Sequence, residues 1–159
     1  MTISQRVNDY LDQQQINYEL VPHEHSHSSL GSAIAAHLPL NQIAKAVLLK
    51  DHEDRRLVAI LPANNKISLS ALNDELNASF RLAKEQEVYN LFKDCDHGAV
   101  PPIAQAYGLT MVYDKRLENL PHIYLEAGDH ENLIHLDQDA FKQLFNDNKH
   151  FVFSHEVLH

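Results

Sequence analysis

The 159-residue chain has one cysteine, four glycines, six prolines and no tryptophan. A single thiol, Cys95, excludes an intrachain disulfide and suits a reducing compartment. Long apolar runs are also missing: "AVLL" and "LVAILPA" fall well short of the roughly 20 residues a membrane-spanning helix needs. The opening "MTISQRVNDYLDQQQ" is polar and amphipathic without the apolar stretch of a secretory signal, so the expected location is the cytoplasm, with no membrane partner. No Pro/Gly/Ser-rich linker, low-complexity tract or internal repeat divides the sequence. With 44 % hydrophobic and 22 % charged residues, it reads as one domain over 1–159.

Familiar catalytic patterns are absent as well. There is no P-loop, no dinucleotide glycine fingerprint, no G-x-S-x-G elbow and no H-E-x-x-H. Cys95 is a poor nucleophile by its neighbours, because Asp94 and Asp96 in "KDCDHG" discourage a thiolate. The net charge of −9 argues against phosphate contacts over the whole surface. Its distribution is uneven, however, and eight of the thirteen basic side chains fall in residues 45–93. That leaves either a solvated surface of mixed sign or a local basic face on an acidic protein.

The periodicities describe an α+β domain. Ile3, Val7, Tyr10 and Leu11 mark an amphipathic helix within 1–15. "NYELVPH" reads as a strand, and Ser32–His37 as a small helix ended by Pro39. "IAKAVLLKD" and "RLVAILPAN" predict a hairpin across the polar turn "HEDR". "SLSALNDEL" and "KEQEVYNLF" are helices, the first capped by Ser68 or Ser70. "TMVYD", "HIYLEAG" and "NLIHLD" are strands, and "QDAFKQLF" closes as a helix. Beyond it, in the extension 146–159, Phe151 and Phe153 suit an edge strand or contact with a partner subunit. Without regular βαβ alternation, the expectation is a single domain with a mixed, mainly antiparallel curved sheet and surrounding helices.

Three features carry chemistry. Lys45 stands in an apolar strand, so its ammonium lies either in water at a frayed strand start or in a cleft that meets an anion. In "DHGAVPP", Gly98 and the prolines Pro101 and Pro102 make a rigid loop, which is either a plain turn or a source of free backbone amides for an oxyanion or carboxyl group. In "LEAGDH", a strand runs into Gly128, Asp129 and His130. A fourth feature, "HEHSHSS", alternates His23, His25 and His27. On a strand these would share one face and could hold a metal weakly, whereas Pro22 and the serines favour a turn.

Together and in this order, the motifs "IAKAVLLKD", "LVAILPANNKISLSAL", "FKDCDHGAVPP", "YGLTMVYD" and "EAGDHENLIHLD" resemble the YbaK / prolyl-tRNA synthetase-associated editing domain family over residues 18–144. The resemblance implies a mixed α/β fold and hydrolysis, in trans, of the ester joining a wrong amino acid to tRNA, with tRNA(Pro) carrying a small amino acid as the expected substrate. It implies mischarged tRNA as partner, a synthetase as a second candidate partner, and no cofactor or metal. Lys45 and Gly98 are then the expected catalytic positions. His23, Ala46, Pro101, Pro102, Gly128, Asp129 and His130 are the expected substrate-binding ones, and the attacking water is placed with help from the substrate's own ribose hydroxyl. The chain departs from the family at Ala46, where a polar side chain is common, and at Asp129, where the cysteine-specific branch has a small hydroxyl residue. An acid at Asp129 suits recognition of the substrate α-amino group, or points to solvent. Two rival functions stand beside this reading: a catalytically silent tRNA-binding module and a metal-binding protein built on the histidine cluster.

Overall fold

The computed structural model describes residues 4–26, 29–96 and 99–157. Ile3, His27 and Gly98 lie outside the described residues.

The first helix, α1 (Gln5–Gln13), starts where Ser4 accepts a hydrogen bond from the Val7 amide, and it buries Val7 and Leu11 one turn apart. It is followed by β1 (Glu19–Pro22), α2 (Ser29–Ala36), β2 (Ile43–Lys50), β3 (Arg56–Pro62), β4 (Asn65–Ile67), α3 (Leu69–Leu76), β5 (Arg81–Leu82) and α4 (Glu85–Leu91). The second half holds β6 (Met111–Asp114), β7 (His122–Glu126), β8 (Asn132–Asp137), α5 (Gln138–Phe145), β9 (Lys149–Phe151) and β10 (Ser154–Glu156). Helix α2 begins three residues before the sequence expectation, and α3 takes Ser68 as its cap, through the Ala71 amide at 3.3 Å.

The main sheet has the order β1-β8-β7-β2-β3-β6-β9, with β5 paired to β2 off this path. Antiparallel pairings (β1–β8, β7–β8, β2–β3, β2–β5) outnumber the parallel ones (β2–β7, β3–β6, β6–β9). The β2–β3 turn is closed by Asp51, whose carboxylate accepts from the Glu53 and Arg55 amides, both at 2.9 Å, and from Arg55 Nε at 2.7 Å. Every residue from Leu57 to Leu61 is buried because both faces of β3 are covered. Val58 and Ile60 pack with α1 and α5, through Leu11, Phe141 and Phe145. Leu57, Ala59 and Leu61 pack with Leu72 of α3 and with Phe153.

The segment after α5 adds the edge strand β9, parallel to β6, and then β10, which pairs with β4. Buried Asp114 holds this extension in place by accepting from the Phe153 amide at 3.1 Å and the Ser154 hydroxyl at 2.6 Å. The short strands β4, β5 and β10 carry too few residues to show alternation in the sequence.

Candidate functional site

The site arises from a split in the sheet. Strand β3 occupies one whole edge of β2, from Ala44 to Lys50. On the other edge, β7 pairs only with Ile43 and Ala44, and β5 only with Leu49 and Lys50. Among the described residues, the β2 backbone from Lys45 to Val47 therefore has no strand partner on that side. A cavity of about 220 Å³ opens there, touched by both Lys45 and Ala46. Adjacent residues on a strand point to opposite faces, so a cavity that meets both runs along the open edge. Val88, Tyr89 and Phe92 from α4 and its end form one wall; Cys95, Asp96 and Glu126 form another.

Lys45 is half-buried, and loss of water lowers its pKa below the ordinary lysine value. No carboxylate among the described residues lies within ion-pair distance of its ammonium. The two readings of this lysine left open by the sequence are thus decided for a cleft position.

Three chain segments meet at Gly128. The Ser4 amide donates to Ala127 O at 2.9 Å, and the Asp96 amide donates to Gly128 O at 2.7 Å. Gly128 has φ +107°, and a Cβ there would lie 3.1 Å from Cys95 Sγ and 3.3 Å from Ser4 Cβ. Only glycine combines that backbone with that proximity. The loop expected to frame the site is thereby tied to the β7–β8 turn. Pro101 and Pro102 are buried beyond it and stay out of the cavity lining.

A closed polar cluster underlies this junction. Asp94 accepts from the Ser4 hydroxyl in a very short contact and from Tyr107 OH at 2.9 Å, while Ser4 Oγ and Tyr107 OH lie 2.7 Å apart. Burial would raise the Asp94 carboxyl, but the two hydroxyls outweigh it and the pKa falls below the usual aspartate value. Cys95 Sγ sits 3.2 Å from Tyr107 OH. Burial, opposed by that hydroxyl and reinforced by Asp94, pushes the thiol up to about 12, which keeps it protonated at neutral pH.

Asp129, in the β7–β8 turn and outside the cavity lining, is fully buried and its carboxylate is engaged: Oδ1 accepts from the Glu131 and Asn132 amides, both at 2.9 Å, and Oδ2 from Asn132 Nδ2 at 2.8 Å. It closes the turn as an Asx cap. His130, at φ 55°, is buried behind the cavity with Nδ1 3.7 Å from Glu126 Oε2. The histidine-rich segment is strapped over this turn, because the His23 amide donates to Glu131 O at 2.8 Å and the Ser26 amide to His130 O at 3.1 Å. β1 ends at Pro22, so His23 and His25 do not share a strand face. The His23 ring turns back to Glu24 O at 2.6 Å, whereas His25 Nε2 lies 3.2 Å from Asp96 Oδ2 and its ring is edge-on to His130 at 6.1 Å. The described residues contain no cluster of three or more His, Cys, Asp or Glu side chains arranged to hold a metal.

Glu126, which the sequence reading passed over, is the cavity's most perturbed carboxyl. It is 1 % exposed, and burial pushes its pKa up to about 7. The Asp129 carboxylate acts in the same direction. Ser32, whose hydroxyl also pairs with Ser26 Oγ at 2.8 Å, pulls against both from outside good hydrogen-bond geometry, since neither Glu126 oxygen has a hydrogen-bond partner among the described residues. The signal in the sequence was a glutamate ending an otherwise apolar strand, the same kind of oddity as Lys45.

The profile of the aminoacyl-tRNA editing domain family matches residues 23–144, most of the chain. The chain belongs to that family. At family level its chemistry is aminoacyl-tRNA deacylation. Among solved structures, a hypothetical protein of 16 % identity superimposes with a TM-score of 0.83 over 95 % of this chain and 100 % of its own. A proposed trans-editing enzyme for prolyl-tRNA synthetase matches at 17 % identity and TM-score 0.77, over 96 % of each chain. A proposed signal-transduction protein from Marinobacter aquaeolei VT8 matches at 20 % identity and TM-score 0.76, over 94 % of this chain and 30 % of that one. These likenesses establish the fold. Among curated proteins, none matches the sequence.

Proposed function

We propose that this protein hydrolyses, in trans, the ester of a mischarged tRNA, with tRNA(Pro) carrying a small wrong amino acid as the substrate. The observation that carries the reading is the Lys45 ammonium, half-buried at the open edge of β2 without a carboxylate partner among the described residues, in a chain of the aminoacyl-tRNA editing family. A fixed positive charge in a partly dry cleft stabilises an anion far better than the same charge in water. Lys45 anchors the terminal nucleotide or offsets charge developing on the ester carbonyl. Amides of the loop around Gly98 hold the amino-acid end, and the ribose hydroxyl of the substrate helps to place water. An aminoacyl ester is activated, so positioning and oxyanion stabilisation suffice without a strong nucleophile. That agrees with a Cys95 held as the thiol. A cavity of about 220 Å³ suits a small side chain, and the likeness in fold to a proposed trans-editing enzyme for prolyl-tRNA synthetase supports the choice of tRNA.

The test is single-turnover deacylation of tRNA(Pro) charged separately with Ala, Cys and Ser. Release of one of them by the wild type and not by Lys45→Ala supports the reading. A Lys45→Ala protein as active as the wild type removes the role given to Lys45. Binding of tRNA without release of any amino acid makes the protein a silent binding module, which its net charge of −9 leaves open.

A further inference from the structure

The cavity is acidic where an RNA-directed enzyme would be expected to be basic. Among the described residues, Glu85, Asp96 and Glu126 line it against one cation, Lys45. Asp96 is satisfied by His25 at 3.2 Å. Glu126 is different in kind: it is 1 % exposed, and neither carboxyl oxygen has a hydrogen-bond partner among the described residues. A buried carboxyl left without a donor is costly, and such groups cluster where a ligand supplies the missing partner. A phosphodiester cannot be that partner, because like charge repels it. The part of an aminoacyl-tRNA with the required sign is the α-ammonium of the amino acid, one bond from the ester carbonyl's neighbour carbon. Asp129 would have been the natural ligand from the sequence, but its oxygens are taken by the Glu131 and Asn132 amides and Asn132 Nδ2.

We propose that Glu126 binds the α-ammonium of the substrate, so that the cleft reads the free amino end of an aminoacyl ester as well as its side chain. With Lys45 on β2 and Glu126 at the end of β7, the two strands that part at the cleft carry opposite charges. The carbonyl end of the substrate turns toward Lys45 and the ammonium end toward Glu126. An N-acylated amino acid, neutral at that position, brings no counter-charge to the buried carboxyl and is rejected. The inference rests on the deacylase reading, and its test separates the two.

The experiment uses the full chain and 3′-aminoacylamino-3′-deoxyadenosines of Ala, Cys and Ser, in which an amide replaces the ester, together with their N-acetyl derivatives. Affinities are measured by calorimetry for wild type and Glu126→Gln, with Glu126→Asp as the charge-retaining variant. Deacylation of the corresponding free and N-acetylated aminoacyl-tRNAs is followed in parallel. A charge-assisted contact predicts that wild type binds the free amine about tenfold or more tighter than its acetylated form. Glu126→Gln should bring the ratio to within about twofold, and Glu126→Asp should keep part of it. A wild type indifferent to acetylation, or one that binds neither compound, overturns the proposal without any variant. So does a Glu126→Gln protein that retains the full ratio. If the amine preference depends on Glu126 but no ester is cleaved, the deacylase reading fails and the Glu126 assignment stands. If esters are cleaved with a preference that ignores residue 126, the reverse holds.

Discussion

Asp94 and Glu126 are both carboxyls beside the same cleft, and the fold treats them in opposite ways. Asp94 receives two hydroxyl donors, from Ser4 and Tyr107, and its pKa is lowered. Glu126 is buried more deeply, receives no hydrogen bond among the described residues, and its pKa is raised to about 7. The first is a finished network that joins the start of α1 to the loop after α4. The second is an unfinished one. A polar group supplied with donors holds a structure together, as exposed Asp94 does; a buried one left without them lowers stability unless a ligand completes it. By that criterion the Asp94 cluster is scaffold and the Lys45–Glu126 side is the candidate site.

The largest effect expected is on activity. Lys45→Ala should lower single-turnover deacylation roughly a hundredfold or more, the scale of losing one electrostatic stabiliser, with an unchanged circular dichroism spectrum. An equal loss in Asp94→Asn, measured on folded protein, would put the scaffold into the chemistry and dissolve the contrast.

Glu126→Gln should act on stability in the opposite sense. Between the ordinary glutamate value of 4.5 and about 7, the folded chain keeps a proton that the unfolded chain has released, so rising pH destabilises the wild type across that window. The neutral variant escapes this. It should be more stable than wild type by up to ~3 kcal/mol above pH 7, and should gain nothing below pH 4.5. Thermal melts at pH 4 and pH 8 check this, and a variant that is less stable at pH 8 would mean that Glu126 has found a donor after all.

Asp94→Asn should destabilise at neutral pH by about 1–1.5 kcal/mol, since two hydroxyls lose a charged acceptor whose exposed position lets water replace part of the interaction. The sign with pH is reversed here. The folded carboxyl titrates below 3.8, so its contribution is present above that value and disappears as pH falls through the lowered pKa. The melting curves of variant and wild type should therefore converge in acid. The smallest effect belongs to Ser4→Ala, which removes a helix cap and one donor to Asp94; about 1 kcal/mol is expected, seen as a fall of a few degrees in melting temperature.

Much of the fold was legible because its longer elements alternate or repeat strongly. The Val7 and Leu11 stripe, the β2–β3 hairpin around Asp51 and the closing helix with Phe141 and Phe145 each carry a local signal that tertiary packing reinforces. The edge strand expected near Phe151 is present as β9, whereas β4, β5 and β10 were unreadable, being two or three residues long and formed only because a neighbour offers a free edge. The site was half legible. Lys45 and Ala46 drew notice as a charge and a departure within an apolar run, and both line the cavity. Glu126 has the same signature but was read as the end of a strand. Asp129, conspicuous in the sequence, spends its carboxylate on its own turn, and His25 rather than His23 reaches the cavity wall through Asp96.

Residue type and order determined the family, the class of fold and the oddity of a lysine in an apolar strand. These are local properties, set by composition and by spacings of two to four residues. Tertiary structure alone decided that β7 and β5 divide one edge of β2, leaving Lys45 at a gap, and that the ends of α1, α4 and β7 converge on Gly128. It also decided which acid keeps its donors and which loses them. Desolvation and hydrogen bonding depend on what surrounds a group in space, and for Asp94 those surroundings come from Ser4 and Tyr107, 90 and 13 residues away along the chain.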